Sequence, residues 1–165
     1  METALEQRIP AGAAIVLDSS AVLAYLDGGE QISGAAAFVI DGLVGSGRNP
    51  ALISAVTITE ALVRPFRQVQ QTPEHERGAS ETVATVDDFL RNFQNLTVVA
   101  IDYAVAREGA RIRARTGLRT ADALVMATAG VTGAGVVVGN DERWRSAVEE
   151  LGTPFALCLL SDYTS

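Results

Sequence analysis

Four acidic side chains stand where a short apolar run gives way to a turn or to the start of a helix: Asp18, Glu60, Asp122 and Asp141. Carboxylates gathered within about 4 Å of one another repel by a few kcal/mol at an intermediate effective dielectric, and a bound cation removes that cost. Oxygen ligands without histidine or cysteine select Mg²⁺ or Mn²⁺ over zinc. Such a site suits phosphoryl chemistry, in which one or two metals orient the phosphate and lower the pKa of a bound water.

Each acid also has a purely structural explanation. Asp18 is the hardest to explain in this way, because Ser19 and Ser20 already offer helix caps. The other three fit common helix-start roles: an N-cap for Asp141, a capping box for Thr57-x-x-Glu60, and a dipole-favoured first-turn acid for Asp122. These roles are local, whereas a metal site requires the four carboxylates to converge within bridging distance.

Arginines supply the positive charge that a phosphate backbone would need. Arg107, Arg111 and Arg115 are spaced i, i+4, i+8 and therefore share one helix face. Arg119 follows them closely, and Arg64 lies one turn beyond Glu60. Two interpretations remain open, a track for backbone phosphates and an ordinary solvated helix face.

Other catalytic and phosphate-binding motifs are missing or incomplete. The sequence has no G-x-S-x-G element, its only histidine is His75 in a polar stretch, and its only cysteine is Cys158 in an apolar run. The segment GLVGSGR at 42–48 lacks the lysine and hydroxyl of a P-loop. Metal-assisted hydrolysis is therefore the chemistry that the sequence favours.

Five apolar runs alternate with helical patterns along the chain: Ala13–Leu17, Pro50–Ser54, Leu96–Ile101, Val136–Val138 and Pro154–Leu160. This alternation predicts an α/β fold with a central parallel five-stranded sheet covered by helices on both faces. In open sheets of this kind, ligands bind outside the carboxyl ends of the strands, where the acids stand. Residues 1–12 are predicted to be a polar N-terminal tail, 13–160 a single domain, and 161–165 a C-terminal tail.

Helix ends are indicated by caps, glycines and a proline. Asp102 is expected to cap a helix that ends at Gly117, and Gly28 and Gly152 are expected to end two others. Pro65 is expected to kink or end the helix that carries Glu60.

Composition restricts the class of protein. The chain has 165 residues, and all of its basic residues are arginines. Its net charge of −7 disfavours broad nonspecific adhesion to nucleic acid. The N-terminus lacks the apolar region of a signal peptide, and the longest uncharged apolar run, Ala123–Asn140, is broken by glycines. We expect a cytoplasmic protein that does not cross a membrane.

The four acid-bearing segments resemble motifs of the PIN domain family, and most of all its VapC-type toxin ribonucleases. The segments are IVLDSSAVLAYL, ISAVTITEAL, LRTADALVMATA and VVVGNDERW. The resemblance implies a three-layer α/β/α sandwich and an Mg²⁺- or Mn²⁺-dependent endoribonuclease, usually dimeric, with a cognate antitoxin that blocks the site. It also assigns the metal site to the four acids and supporting polar roles to Ser20 and Asn140.

Two features depart from the family pattern. Gly139 stands where the family commonly has Thr or Ser, and the segment from Pro65 to Asn95 is long for a compact toxin. Gly139 and the net charge of −7 leave a non-catalytic or weakly catalytic PIN binding module as an alternative to the ribonuclease. A metal-dependent phosphatase acting on small substrates is a third possibility.

Overall fold

Five short strands form one all-parallel sheet. The computed structural model describes residues 1–29, 31–71 and 76–164, and its strand order is β3-β2-β1-β4-β5. The strands are β1 (Ile15–Leu17), β2 (Ala51–Ser54), β3 (Leu96–Val99), β4 (Val136–Gly139) and β5 (Ala156–Leu159). Four of the five apolar runs in the sequence contain one strand each, and the fifth, Val136–Val138, is one residue shorter than β4. The predicted α/β fold with a central parallel five-stranded sheet is confirmed.

Helices connect the strands and cover both faces of the sheet. They are α1 (Glu2–Arg8), α2 (Ser19–Asp27), α3 (Ser33–Ala37), α4 (Ala55–Gln71), α5 (Glu76–Asn92), α6 (Tyr103–Thr116), α7 (Thr120–Thr132) and α8 (Arg143–Leu151). A π-helical stretch, Phe38–Gly45, continues α3, and a 3₁₀ turn, Leu160–Tyr163, follows β5. None of the helices in this described part of the chain combines the length and apolarity needed to span a bilayer.

The alternation of side chains along β1 divides the core into two halves. Ile15 and Leu17 pack with residues of α1 to α5, whereas Val16 packs with residues of α6 to α8. Because successive side chains of a strand point to opposite faces, a strand between two helical layers must be apolar throughout. All three residues of β1 are buried, which explains its uninterrupted apolar sequence.

The N-terminal stretch is a helix and not the polar tail that its sequence predicts. Leu5, on α1, and Ile9, directly after it, are fully buried in the first half of the core. Arg8 fixes the end of this helix by donating from Nε to the carbonyl oxygen of Leu157 at 2.9 Å. This segment has too few apolar residues for its sequence to show an amphipathic pattern. Its buried face becomes evident only from its contacts with the core. At the other end, Tyr163 of the predicted C-terminal tail also packs against the core.

Two local predictions in α4 are wrong. Pro65 is buried within the helix, which continues without a break to Gln71. Thr57 lies inside the helix and not at its cap, because α4 begins at Ala55, and its buried Oγ1 has no hydrogen-bond partner in the described structure. The expected capping box with Glu60 is therefore absent from the described contacts, and that carboxylate is available for other interactions.

Several predicted helix ends are confirmed. Asp102 caps α6 by accepting from the backbone N of Val105 at 2.9 Å, and Gly117 ends that helix in the left-handed conformation. Gly28 and Gly152 end α2 and α8 with the same left-handed backbone. The lone histidine, His75, lies outside the described residues.

The burial of Leu5 predicts that α1 contributes to stability. Leu5→Ala should lower the free energy of unfolding by about 2–4 kcal/mol, because it removes buried methyl groups and leaves a cavity. Urea unfolding measures this loss. Glu6→Ala, at an exposed position on the same helix, is the matched control and should change stability little. An equal, small effect of both substitutions would show that α1 is not part of the folded core.

Candidate active site

The four acids gather at the topological switch point of the sheet, between the central strands β1 and β4. The sheet grows from β1 to β2 and β3 on one side and continues with β4 and β5 on the other. Such a switch point leaves a crevice at the carboxyl ends of the two central strands. The backbone N of Asp18 donates to the carbonyl oxygen of Val138 at 2.9 Å, so the ends of β1 and β4 are held side by side.

Asp18 is held rigidly at the end of β1. Its side chain is only 7% exposed, and its Oδ2 accepts from the backbone N of Ser20 at 3.1 Å and from the Ser20 hydroxyl at 2.7 Å. Asp18 is therefore the N-cap of α2, a role that the sequence suggested for Ser19 or Ser20. Both hydrogen bonds go to Oδ2, so neither uses Oδ1.

Glu60 faces Asp18 from the second turn of α4. Ser19 donates its hydroxyl to Oε2 of Glu60 at 3.1 Å, which ties α4 to the start of α2. Burial raises the pKa of Glu60, and the charges of Asp18 and Asp122 raise it further, while the Ser19 hydrogen bond and the charge of Arg119 act in the opposite direction. The contributions of Asp18 and Asp122 to this increase show that the three carboxylates are close enough to interact electrostatically.

Asp122 contributes the most poorly compensated oxygen of the group. Its Oδ2 is buried and has no hydrogen-bond partner among the described residues. Burial raises the pKa of Asp122, and the charges of Asp141 and Asp18 add to the increase. Arg143 and Trp144 lower it, yet the indole Nε1 is itself buried without reaching hydrogen-bond geometry in the described structure.

Asp141 differs from the other acids because an arginine neutralises it. The Nε of Arg143 donates to Asp141 Oδ1 at 2.9 Å and to Oδ2 at 3.0 Å, and the backbone N of Arg143 donates to Oδ1 at 2.9 Å. These hydrogen bonds lower the pKa of Asp141. The same guanidinium reaches within 3.8 Å of Asp122 Oδ2, so one arginine spans two of the predicted metal ligands.

The four carboxylates share a crevice without forming a closed ligand set. Within residues 1–29, 31–71 and 76–164, no three carboxylate, imidazole or thiolate groups stand close enough to hold a metal ion as arranged. The predicted convergence within bridging distance is therefore not seen. The donor set nevertheless fits a hard divalent cation, because it consists of oxygens, includes a buried orphan oxygen and contains acids that raise one another's pKa.

The glycine that departs from the family pattern is enforced by packing. A Cβ placed on Gly139 would lie 2.8 Å from Cζ3 of Trp144 and 3.2 Å from Cβ of Asp18. Trp144, the only tryptophan, is fully buried. Its ring therefore takes the space that a Thr or Ser side chain at position 139 would need, beneath the acids.

The two predicted supporting residues have different environments. Ser20 donates to Asp18 and orients that carboxylate. Asn140 uses its Oδ1 to accept from the backbone N of Ser161 at 2.9 Å, which anchors the turn after β4 to the C-terminal 3₁₀ turn. Its contact is thus structural, and it leaves the Asn140 amide nitrogen for other partners.

None of the three arginines of the predicted track forms a hydrogen bond or ion pair with the four acids in the described structure. Arg107 lines a groove with Gly130, near the end of α7, about 12 Å along that helix from Asp122. Arg111 is paired with Glu108.

The remaining arginines divide into two groups. Arg115 donates to the carbonyl oxygen of Glu150 at 2.8 Å, and Arg64 lies 3.6 Å from Asp27. Arg119 alone among the candidates acts on the acids, since its charge lowers the pKa of both Glu60 and Asp141.

Three residues of the crevice were missed from sequence: Ser19, Arg143 and Trp144. Ser19 adjoins Asp18, and Arg143 follows Asp141 by two positions, so their proximity to the acids was a usable signal. Two further polar groups, Ser54 Oγ and Thr57 Oγ1, are buried without hydrogen-bond partners in the described structure, beside the helix start that carries Glu60. They add to the polarity of this region.

Comparisons with known proteins agree with this geometry. The profile of a family described as "PIN domain" matches residues 15–150. No curated protein sequence matches the chain. Among solved structures, the fold is similar to VapBC2 from Rickettsia felis bound to promoter DNA, with a TM-score of 0.60 and 13% identity over 87% of this chain and 96% of that one.

Two further structures are similar at the same level. FitAcB from Neisseria gonorrhoeae has a TM-score of 0.60 and 18% identity, over 89% of this chain and 98% of that one. VapC20 from Mycobacterium tuberculosis, described as a sarcin-ricin loop cleaving toxin, has a TM-score of 0.60 and 15% identity, over 81% of this chain and 94% of that one. At these identities the likeness is one of fold.

The contact between Gly139 and Trp144 predicts an intolerance of side chains at position 139. Gly139→Ala should lower the free energy of unfolding by about 1–3 kcal/mol, because the added methyl overlaps the indole in a packed core. Gly130→Ala is the matched control, since its Cβ meets no atom within 4 Å and alanine favours a helix interior. Chemical denaturation should show opposite signs for the two variants; equal stabilities would mean that the ring yields easily.

The raised pKa of Glu60 predicts a stability that depends on pH. Since the folded state binds this proton more tightly than the unfolded state, stability falls as pH rises from the ordinary glutamate range through the raised pKa. In metal-free buffer, Glu60→Gln should therefore be more stable than wild type at pH 7, and the difference should vanish at acidic pH. Thermal melts across this range, with the exposed Glu6→Gln as control, would refute the effect if the two variants behaved alike.

Proposed function

Because this chain belongs to the PIN domain family, we propose that it is a metal-dependent endoribonuclease that hydrolyses RNA phosphodiester bonds, as the toxin of a type II toxin–antitoxin pair. The observation that carries the proposal is the gathering of four acids around the carboxyl ends of β1 and β4, with Asp18 and Asp141 at the strand ends and Glu60 and Asp122 on the neighbouring helices α4 and α7. Two of these acids, Glu60 and Asp122, have raised pKa values because of burial and of neighbouring carboxylates. Bringing a divalent cation to them would relieve that repulsion.

Three acids of the crevice would supply carboxylate ligands to Mg²⁺ or Mn²⁺. Asp18, oriented by Ser20, and Glu60, oriented by Ser19, are held in place before any ligand arrives. Asp122 supplies a buried oxygen that lacks a hydrogen-bond partner in the described structure. When bound, the cation would activate a water for attack on phosphorus and stabilise the leaving oxygen.

Arg119 is the best candidate for binding the RNA backbone. It is exposed, it is the N-cap residue of α7, three positions before Asp122, and its charge lowers the pKa of Glu60 and of Asp141. A guanidinium in this position can donate to two phosphate oxygens at once. Because the chain as a whole carries a net charge of −7, which disfavours RNA, a positive group beside the acids would help to hold the phosphate backbone at the site.

The partners follow from the same proposal. One similar structure is described as a toxin–antitoxin complex from Klebsiella pneumoniae, and VapC20 is described as a toxin. These likenesses support a cognate antitoxin for this chain. A homodimer and a cytoplasmic location remain predictions from the family resemblance and the sequence.

A PIN-fold binding module without strong catalysis is the second candidate. Two observations favour it, namely the arginine that already neutralises Asp141 and the absence of a closed ligand set in the described residues. Such a protein would bind RNA without cutting it. A cleavage assay with added metal separates the two candidates directly.

The ribonuclease proposal predicts loss of cleavage when the acids are neutralised. Purified wild type should cut a mixed RNA substrate with Mg²⁺ or Mn²⁺ and stop in EDTA, and Asp18→Asn or Asp122→Asn should slow cleavage by about 100-fold or more, because ligands of a catalytic metal are lost. Asp87→Asn, which removes an exposed carboxylate paired with Arg91 on α5, is the matched control and should cut like wild type.

Three results of this assay are informative. Equal cleavage by wild type and both site variants would overturn the assignment of the site. RNA binding without cleavage at any metal concentration would favour the binding module. Hydrolysis of p-nitrophenyl phosphate in the absence of RNA cleavage would favour the small-substrate phosphatase.

A further inference from the structure

Arg143 joins two acids that come from different parts of the chain. It is the first residue of α8, and its guanidinium contacts both oxygens of Asp141. The same Nη2 that donates to Asp141 Oδ2 lies 3.8 Å from Oδ2 of Asp122, on α7. A single positive group is thus placed between two carboxylates that a metal ion would also need.

The arginine and a divalent cation would compete for the same oxygens. Magnesium binds carboxylate oxygens at about 2.0–2.1 Å, closer than an N–H donor can approach them. A cation bound to Asp141 Oδ2 and Asp122 Oδ2 would therefore leave no room for the Arg143 Nη2 between them. Two like charges at this spacing would also repel each other.

The contacts of Arg143 with Asp141 and Asp122 can be broken at little energetic cost. The Arg143 side chain is 54% exposed, and its described ion-pair partners are Asp141 and Asp122. Exposed ion pairs contribute little to stability because water and salt screen them. Rotation of the long side chain into solvent would free both carboxylates without moving the backbone of α8.

We propose that Arg143 is an internal counter-ion, which neutralises Asp122 and Asp141 when no metal is bound and must be displaced for a divalent cation to enter. This inference rests on the proposed metal-dependent function and adds a determinant of metal affinity to it. The arginine sets the metal concentration at which the site fills. In the absence of metal, the same side chain lies between Asp122 on α7 and Asp141 before α8 and makes a small contribution to stability.

Metal binding by metal-stripped protein tests this inference without reference to catalysis. Calorimetric titration with Mn²⁺ would compare wild type, Arg143→Gln and Arg145→Gln at one salt concentration. Arg145 is the matched control because it lies two residues away on α8, is 49% exposed and pairs with Glu142 and Asp162 instead of the site acids. Both variants lose one positive charge, so a general charge effect would appear equally in both.

Removing the counter-ion should tighten Mn²⁺ binding. We expect the Kd of Arg143→Gln to fall about fivefold relative to wild type, the scale set by losing one exposed ion pair as a competitor. Arg145→Gln should stay within about twofold of wild type. In thermal melts, the Arg143 variant should melt below wild type in EDTA and gain more from added Mn²⁺ than wild type does.

The contrary outcomes are distinct. If all three proteins bind Mn²⁺ alike, or Arg143→Gln binds it more weakly, Arg143 is not a competitor, and the metal-dependent function still stands. If none of them binds Mn²⁺ up to millimolar concentration, the proposed metal dependence fails and the counter-ion role fails with it.

Discussion

Repulsion among carboxylates at the carboxyl end of the central strands is the constraint on which this site depends. Parallel pairing brings the ends of β1 and β4 together, and Asp18 and Asp141 come with them. Burial at the crevice strengthens the repulsion, because a less polar surrounding screens charge poorly. Every polar contact of the acids can be understood as a response to this concentration of charge, from the serines that orient them to the arginine that neutralises Asp141.

The first two residues of α8 act on the acids in different ways. Arg143 offers a positive charge to the acids, and the next residue, Trp144, fills the space beneath them with its buried ring. That ring leaves no room for a side chain at position 139, so the loss of a hydroxyl there and the presence of the tryptophan are one feature. Packing against Trp144 and Asp18 thus explains why glycine stands at this position.

The fold was largely predictable, and its exceptions have a common cause. The strands are short runs rich in apolar and β-branched residues, so all five were found within a few residues of their observed bounds. The central strand β1 is buried on both faces and is apolar throughout, whereas the edge strand β3 is partly exposed and includes Thr97. The helix α1 was missed because Leu5 and Ile9 are too few to show a periodicity, and only contact with the core reveals their role. Pro65 was misjudged for a related reason, since tertiary packing holds α4 together through a residue that disfavours helix on its own.

The sequence by itself determined which acids the chain carries, the order in which they follow strands, and hence the end of the sheet at which they meet. The residues close to each acid in the sequence are enough to predict these positions, because strand ends and helix starts have characteristic short sequence patterns. Only the tertiary structure decided the contacts between elements: Arg143 between two acids, Arg119 near them, and Arg107 at the far end of α7. Distances between side chains from different elements depend on how helices pack on the sheet, and spacing along the chain does not encode them.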